Sequence, residues 1–223
     1  MAVEACWTSP TFYYHLRSGG HVEAVKSHLN HTCFLHVDIE DFFGSINRSR
    51  VTRSLKNKVG YKVAREMAHA STVKHPGDGT RCVIPYGFVQ SQIIASLCLD
   101  ESRLGTYLKK LSNMEGVSVS VYVDDIIVSC DSSAVSECIL KGLNDAAAKA
   151  NFKLNPVKQE GPATAITAFN IVLKNKSLEI SAPRFEQFIS TLEQTTSQFQ
   201  RDGITSYVKS VNVVQGASLL ASP

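Results

Sequence analysis

The sequence lacks any stretch able to cross a membrane as a helix: no apolar run reaches the roughly 18 residues such a span requires. Its start, MAVEACWTSPTFYYHLRSGG, also lacks the basic segment followed by a long apolar one that marks a secretory leader. A cytoplasmic protein with no membrane partner is therefore expected. Paired cysteines are missing too. Cys6, Cys33, Cys82, Cys98, Cys130 and Cys138 stand singly, without a Cys-x-x-Cys pair, which argues against a disulfide framework and a structural zinc site. No histidine lies beyond His75, and no pair has helical zinc spacing, so the histidines read as surface or loop residues. Repeats, low-complexity tracts and an obvious linker are absent as well.

Acidic residues are missing from 48 to 65, RSRVTRSLKNKVGYKVAR, where seven residues are basic. The net charge of +3 is thus unevenly placed. Such a block is either a solvated helix face or a surface that neutralises phosphates, with Arg48, Arg50, Arg53, Lys56 and Lys58 as the candidate nucleic-acid contacts. With 223 residues and 43% hydrophobic content, the chain can bury a sizeable core and reads as one globular domain with subdomains.

The run CFLHVDI, Cys33 to Ile39, has strand length and ends in an aspartate, and Asn47 is a suitable cap for a helix through the basic block. KHPGDGT, Lys74 to Thr80, marks a loop. Helical spacing predicts one amphipathic helix from Gln90 to Leu108. VSVSVYV and IIVSC predict two strands joined at Asp124 and Asp125, a hairpin with acids at its tip. A helix follows from Ser133, then strands over FKLN and AFNIVLK, and a last helix from Pro183 through Gln200. This order predicts an α+β fold with a mainly antiparallel sheet.

Two adjacent carboxylates amid apolar strands repel one another and resist desolvation, so they call for a cation. Asp38 ends a strand that can lie beside the hairpin, and three carboxylates on one face offer hard oxygen ligands suited to Mg²⁺. An Asp-Asp pair in a tight turn is also commonly structural, and Asp38 is what favours the metal reading.

FLHVDIEDFFGSI, IPYGFVQSQIIASL and VYVDDIIVS, in this order, resemble the three central motifs of reverse transcriptases, especially the bacterial group of retron, group II intron and phage-defence enzymes. FKLNPVKQE and AFNIVL resemble the next two, so the likeness covers Cys33 to Leu173. It implies a right-hand polymerase palm, an antiparallel sheet backed by helices, over 33–173 with fingers helices inserted at about 46–80. Residues 1–32 would be reduced fingers and 174–223 a short helical thumb. It further implies RNA-directed DNA polymerase activity with two Mg²⁺ ions, Mn²⁺ being an alternative. Asp38 and Asp124 would hold both ions, Asp125 would assist, and the carbonyl of Ile39 would complete a metal shell. Phe43 matches the gate that rejects a 2′-hydroxyl, Gly87 the glycine that lets backbone approach template and nucleotide, and Lys158 a proton donor to pyrophosphate. The partners implied are an RNA template or structured non-coding RNA, deoxynucleoside triphosphates and a DNA product.

The departures from the family pattern are Pro85-Tyr86-Gly87 in place of Pro-Gln-Gly and Ser91-Gln92 in place of Ser-Pro. Tyr86 either stacks where the glutamine touches template and nucleotide or simply packs. Arg17 and Lys26 are triphosphate contacts or plain surface charge. Only 37 residues precede Asp38, so a compact enzyme that borrows surfaces from a protein partner, a second copy or an RNA is expected, with the motif wording nearest to bacterial anti-phage defence. Two other readings compete. One is a catalytically inactive polymerase-like subunit that binds RNA or supports a partner polymerase. The other is a haloacid-dehalogenase-like phosphatase with Asp38 as nucleophile, which Glu40 disfavours because that family needs an aspartate there.

Overall fold

In the computed structural model, which describes residues 3–221, strand β1 (Cys33–Asp38) is buried along its whole length. Two 3₁₀ turns and the short helix α1 (Gly20–Lys26) precede it. Helix α2 (Arg48–Val59) starts where Asn47 accepts a hydrogen bond from the Arg50 amide, the cap expected from sequence. Gly60 separates it from α3 (Tyr61–Ala70), and the glycine-rich loop joins β2 (Val73–His75) to β3 (Asp78–Val83) in a hairpin.

The single helix expected from Gln90 to Leu108 is two, α4 (Val89–Asp100) and α5 (Arg103–Ser112). Ser102 breaks it: its hydroxyl accepts from the Gly105 amide and caps a new helix. Nor is α4 amphipathic, since its second half, Ile94 to Asp100, is buried all round. Next come β4 (Ser118–Tyr122), β5 (Asp125–Cys130), α6 (Ser133–Lys149), β6 (Glu160–Ala163), β7 (Ala165–Ala168), β8 (Ile171–Lys174) and β9 (Ser177–Ile180). The chain finishes with α7 (Ala182–Gln194), α8 (Gln198–Val211) and α9 (Val213–Ala221). Three further expectations are corrected. FKLN is no strand; Leu154 makes one isolated bridge to Ile39, and Pro156 has no amide to extend the ladder. AFNIVLK is not one strand but two, because Phe169 and Asn170 both take positive φ (55° and 60°) and form the turn between β7 and β8. The last helix likewise stops at Gln194, and Ser197 caps α8 anew.

The main sheet has strand order β4-β5-β1-β6, every pairing antiparallel, and a second, three-stranded sheet runs β7-β8-β9. The fold is thus the α+β class with mainly antiparallel sheets. Alternation along the strands splits the main sheet into two faces. Leu35, Val37, Ile126 and Val128 pack into a core with α2, α4, α5 and α6, whereas Phe34 and Ile127 join the core of the small sheet, α7 and α8.

This second face also corrects the histidines. His28 is fully buried, Nδ1 lying 2.7 Å from the Ser129 hydroxyl and Nε2 2.8 Å from that of Ser120. Burial pushes its pKa down to about 3, which keeps the ring neutral. His36 is buried as well. All six cysteines are free thiols, and no helix among the described residues is long and apolar enough to cross a membrane.

Candidate active site

The register of the central sheet brings the acids together. Asp38, last in β1, lies opposite Asp125, first in β5, and Asp124 sits in the turn between β4 and β5. One carboxylate oxygen from each of the three falls within 4.8 Å of the others. Asp38 is 3% exposed and the other two are half-buried. Burial, then the charge of Asp125, pushes the Asp124 pKa up to about 6. Lys158 donates to Asp38 Oδ2 at 2.9 Å, with its own side chain 59% exposed. That pair raises the Lys158 pKa, but Lys158 is the weakest of the influences on Asp124. The cluster therefore keeps a negative charge that one lysine does not cancel, which is the electrostatic condition of a cation site.

The other residues singled out from sequence line the same cleft, of about 1100 Å³: Ile39, Phe43, Tyr86, Gly87 and Lys158 together with the three aspartates. The Ile39 amide donates to the Asp124 carbonyl at 3.0 Å, tying the strand end to the hairpin tip. Phe42 is buried against Phe152, while Phe43 is only partly buried and meets the Tyr86 ring edge-on at 5.8 Å. Tyr86 is 85% exposed. Gly87 has φ +86°, a conformation an L side chain rarely adopts. Lys158 follows an Asx turn in which Asn155 Oδ1 accepts from the Val157 amide.

The basic residues do not act as one set. Arg50 donates to the Ala150 and Asn151 carbonyls and lies 4.3 Å over the Phe152 ring, so it ties α2 to the end of α6. Arg48 donates to Thr72 Oγ1, and Lys58 pairs with Glu101 at 2.9 Å. Arg53 and Lys56 are exposed, as are Lys62 and Arg65 in α3. Arg17 donates to the Thr11 carbonyl and Lys26 pairs with Glu23.

Two features of the site went unseen in the sequence. His36 Nε2 donates to Asp125 Oδ1 at 2.7 Å; two residues before Asp38 on a strand, it shares that aspartate's face, and period-2 spacing was the available signal. Gly44 closes the turn that presents Phe43: a Cβ there would meet the Asp41 carboxylate at 2.3 Å.

The sequence profile of the family described as Reverse transcriptase (RNA-dependent DNA polymerase) matches residues 4–200. No curated protein matches the sequence. Among solved structures, telomerase from Candida albicans in complex with a fragment of telomeric RNA aligns over 99% of this chain and 46% of its own, at 9% identity and a TM-score of 0.61. The foamy viral protease-reverse transcriptase bound to an RNA/DNA hybrid aligns over 89% of this chain and 25% of its own, at 14% identity and a TM-score of 0.51. In complex with double-stranded DNA it aligns over 93% and 40%, at 15% identity and a TM-score of 0.53. At these identities the likeness is one of fold, and this chain spans between a quarter and under half of the chains it matches.

Proposed function

We infer the function from the family to which this chain belongs, the reverse transcriptases (RNA-dependent DNA polymerases), and from one observation: three carboxylates meet within 4.8 Å in a cleft large enough for a nucleotide. The reaction is RNA-directed DNA synthesis. A 3′-hydroxyl, or a protein hydroxyl serving as primer, attacks the α-phosphate of a deoxynucleoside triphosphate; the new O–P bond forms as the bond to pyrophosphate breaks. Asp38 and Asp124 would hold two Mg²⁺ ions, or Mn²⁺, with Asp125 assisting and the Ile39 carbonyl completing the shell. The donor set fits, being all oxygen and carrying uncancelled negative charge. Such ions supply activation of the attacking hydroxyl and neutralisation of the departing phosphate oxygen.

The chain's own groups do the rest. Phe43, on the cleft wall beside Tyr86, would lie against the sugar of the incoming nucleotide and exclude a 2′-hydroxyl. Tyr86, exposed beside it, offers a flat face to the nucleotide or templating base. Gly87 gives backbone access, and Lys158 protonates the pyrophosphate. Exposed Arg53 and Lys56 contact the nucleic-acid backbone, with Arg48, Arg50 and Lys58 holding the helices that present them. In the similar structures the bound partners are an RNA/DNA hybrid, double-stranded DNA and telomeric RNA, which supports an RNA template and a DNA product here. We place the fingers at 1–32 and about 46–80, the palm in the remainder of 33–173 and the thumb at 174–223. The motif wording supports a place among bacterial enzymes of anti-phage defence, with a protein or RNA partner, or a second copy, completing the surface.

The test is incubation with Mg²⁺, labelled deoxynucleotides or ribonucleotides, and RNA or DNA primer-templates, beside an Asp124→Asn control and a reaction without template. Template-dependent deoxynucleotide incorporation abolished by the substitution is expected. No incorporation, even from a complex recovered from the native host, would overturn the reading in favour of an inactive polymerase-like subunit.

A further inference from the structure

The turn carrying Asp124 is made of residues ill suited to it. Val123 and Asp124 are the two residues between β4 and β5, and Val123 has φ +61°. Two-residue hairpins that need positive φ favour Asn-Gly or Asp-Gly, and a β-branched residue in the left-handed region is a genuine outlier. Such a conformation persists only where its surroundings over-determine it.

What holds it comes from outside the motifs. His15 Nδ1 accepts the Val123 amide hydrogen at 3.0 Å. The other ring nitrogen, Nε2, lies 2.6 Å from Ser96 Oγ, and the Ser96 hydroxyl donates to the Gln92 carbonyl at 2.8 Å. Because the Ser96 proton is committed to Gln92, its oxygen accepts from Nε2–H, which leaves Nδ1 as a lone-pair acceptor aimed at Val123. The ring is anchored in turn. The Val121 amide donates to the Phe12 carbonyl at 2.8 Å and Tyr13 bridges to Val121, while Tyr13 and Tyr122 each place a ring 5.8 Å from the imidazole. The N-terminal segment is thus laid along β4, with α4 supporting it from the other side.

We propose that His15 is a positioning residue for the metal-binding hairpin: through Val123 it fixes the turn that aims Asp124, and with it Asp125, at Asp38. The proposal rests on the reading of the aspartates as metal ligands. It gives residues 12–16 a task in catalysis and makes α4, through Ser96, part of the support of the site.

The experiment compares wild type, His15→Phe, His15→Asn and Ser96→Ala, each melted to confirm folding. Its first readout is metal-free: amide exchange at Val123, with the Val123 φ from its three-bond HN–Hα coupling. Its second is Mn²⁺ affinity, from the electron-paramagnetic-resonance signal of free Mn²⁺. Phenylalanine keeps the bulk of the ring and removes both nitrogens, whereas asparagine keeps an acceptor near Nδ1. His15→Phe is expected to lose Val123 protection and to weaken Mn²⁺ binding by about tenfold, the scale of an outer-shell ligand support. His15→Asn restores part of both, and Ser96→Ala, which frees the ring to rotate, gives an intermediate loss. Folded His15→Phe with Val123 protection and φ unchanged overturns the brace. Protection lost with Mn²⁺ affinity intact overturns the positioning role. Wild type that binds no Mn²⁺ overturns the metal reading and the positioning role with it, and the exchange data then still decide whether His15 holds the turn.

Discussion

Replacing Asp124 by asparagine should make the metal-free protein more stable while removing its activity. Burial and the charge of Asp125 raise the Asp124 pKa from 3.8 to about 6, so ionising it costs more in the folded chain than in the unfolded one. A carboxyl raised in this way contributes stability that is fully present below its unfolded pKa and is lost as pH rises through the folded value. The shift corresponds to about 3 kcal/mol at pH 8. Solvent reaching the half-exposed cleft screens the interaction, which brings the expected gain to about 1–2 kcal/mol. For a chain of this length that is a rise in Tm of about 2–8 °C. At pH 4.5 the difference should shrink to roughly half to two-thirds of that gain, since part of the wild-type penalty is then relieved by protonation. His28 and His15, whose pKa values burial lowers to about 3 and about 4, destabilise both proteins equally in acid and cancel from the comparison. The assay is paired thermal melts by circular dichroism in EDTA at the two pH values, repeated with Mg²⁺, which should raise the wild-type Tm more than that of the variant. An Asp124→Asn protein no more stable than wild type at pH 8, or a gain that does not depend on pH, would refute the electrostatic account of the cluster.

Other substitutions separate the roles assigned to the cleft and the basic helix. Phe43→Ala should relax discrimination against ribonucleotides by about 10–200-fold, measured as the ratio of kcat/KM for the two sugars. Lys158→Ala should lower kcat by about 10²–10⁴ if the lysine is the proton donor, leaving the KM for deoxynucleotide nearly unchanged in steady-state incorporation assays. Arg50→Ala should cost about 1.5–3 kcal/mol, read from denaturant melts, because it removes both a charged donor to two carbonyls and a cation over Phe152. Arg53→Ala with Lys56→Ala should leave those melts unchanged. It should instead reduce the slope of log affinity against log salt for a primer-template by about 0.7–0.9 for each phosphate that is no longer neutralised.

What was legible in the sequence was local. The Asn47 cap, the hairpin of VSVSVYVDDIIVSC and the strand ending in Asp38 follow from spacing and propensity within a dozen residues. The breaks were harder. Ser102 carries a cap signature, but the apolar periodicity of the flanks runs through it, and Asn170 announces a turn that the β-branched residues beside it conceal. His28 was misread for a different reason. A histidine without a zinc-spaced partner reads as exposed until two strands, distant in sequence, supply Ser120 and Ser129 as partners for both of its nitrogens.

The same limit explains the site. Each aspartate was recognisable because acids are costly amid apolar strands, so the sequence itself flags the groups proposed to hold a cation. The groups that aim them carry no such flag. His36 bonds to Asp125, and His15, held by Ser96, bonds to Val123, across separations of 89 and 108 residues for the two histidine bonds. The pairing of β1 with β5 and the laying of residues 12–16 along β4 create those bonds. The identity of the clustered acids is thus written in short motifs, whereas their orientation is a property of the assembled sheet. A substitution at His15 or His36 should accordingly leave every motif intact and still alter the geometry on which they depend.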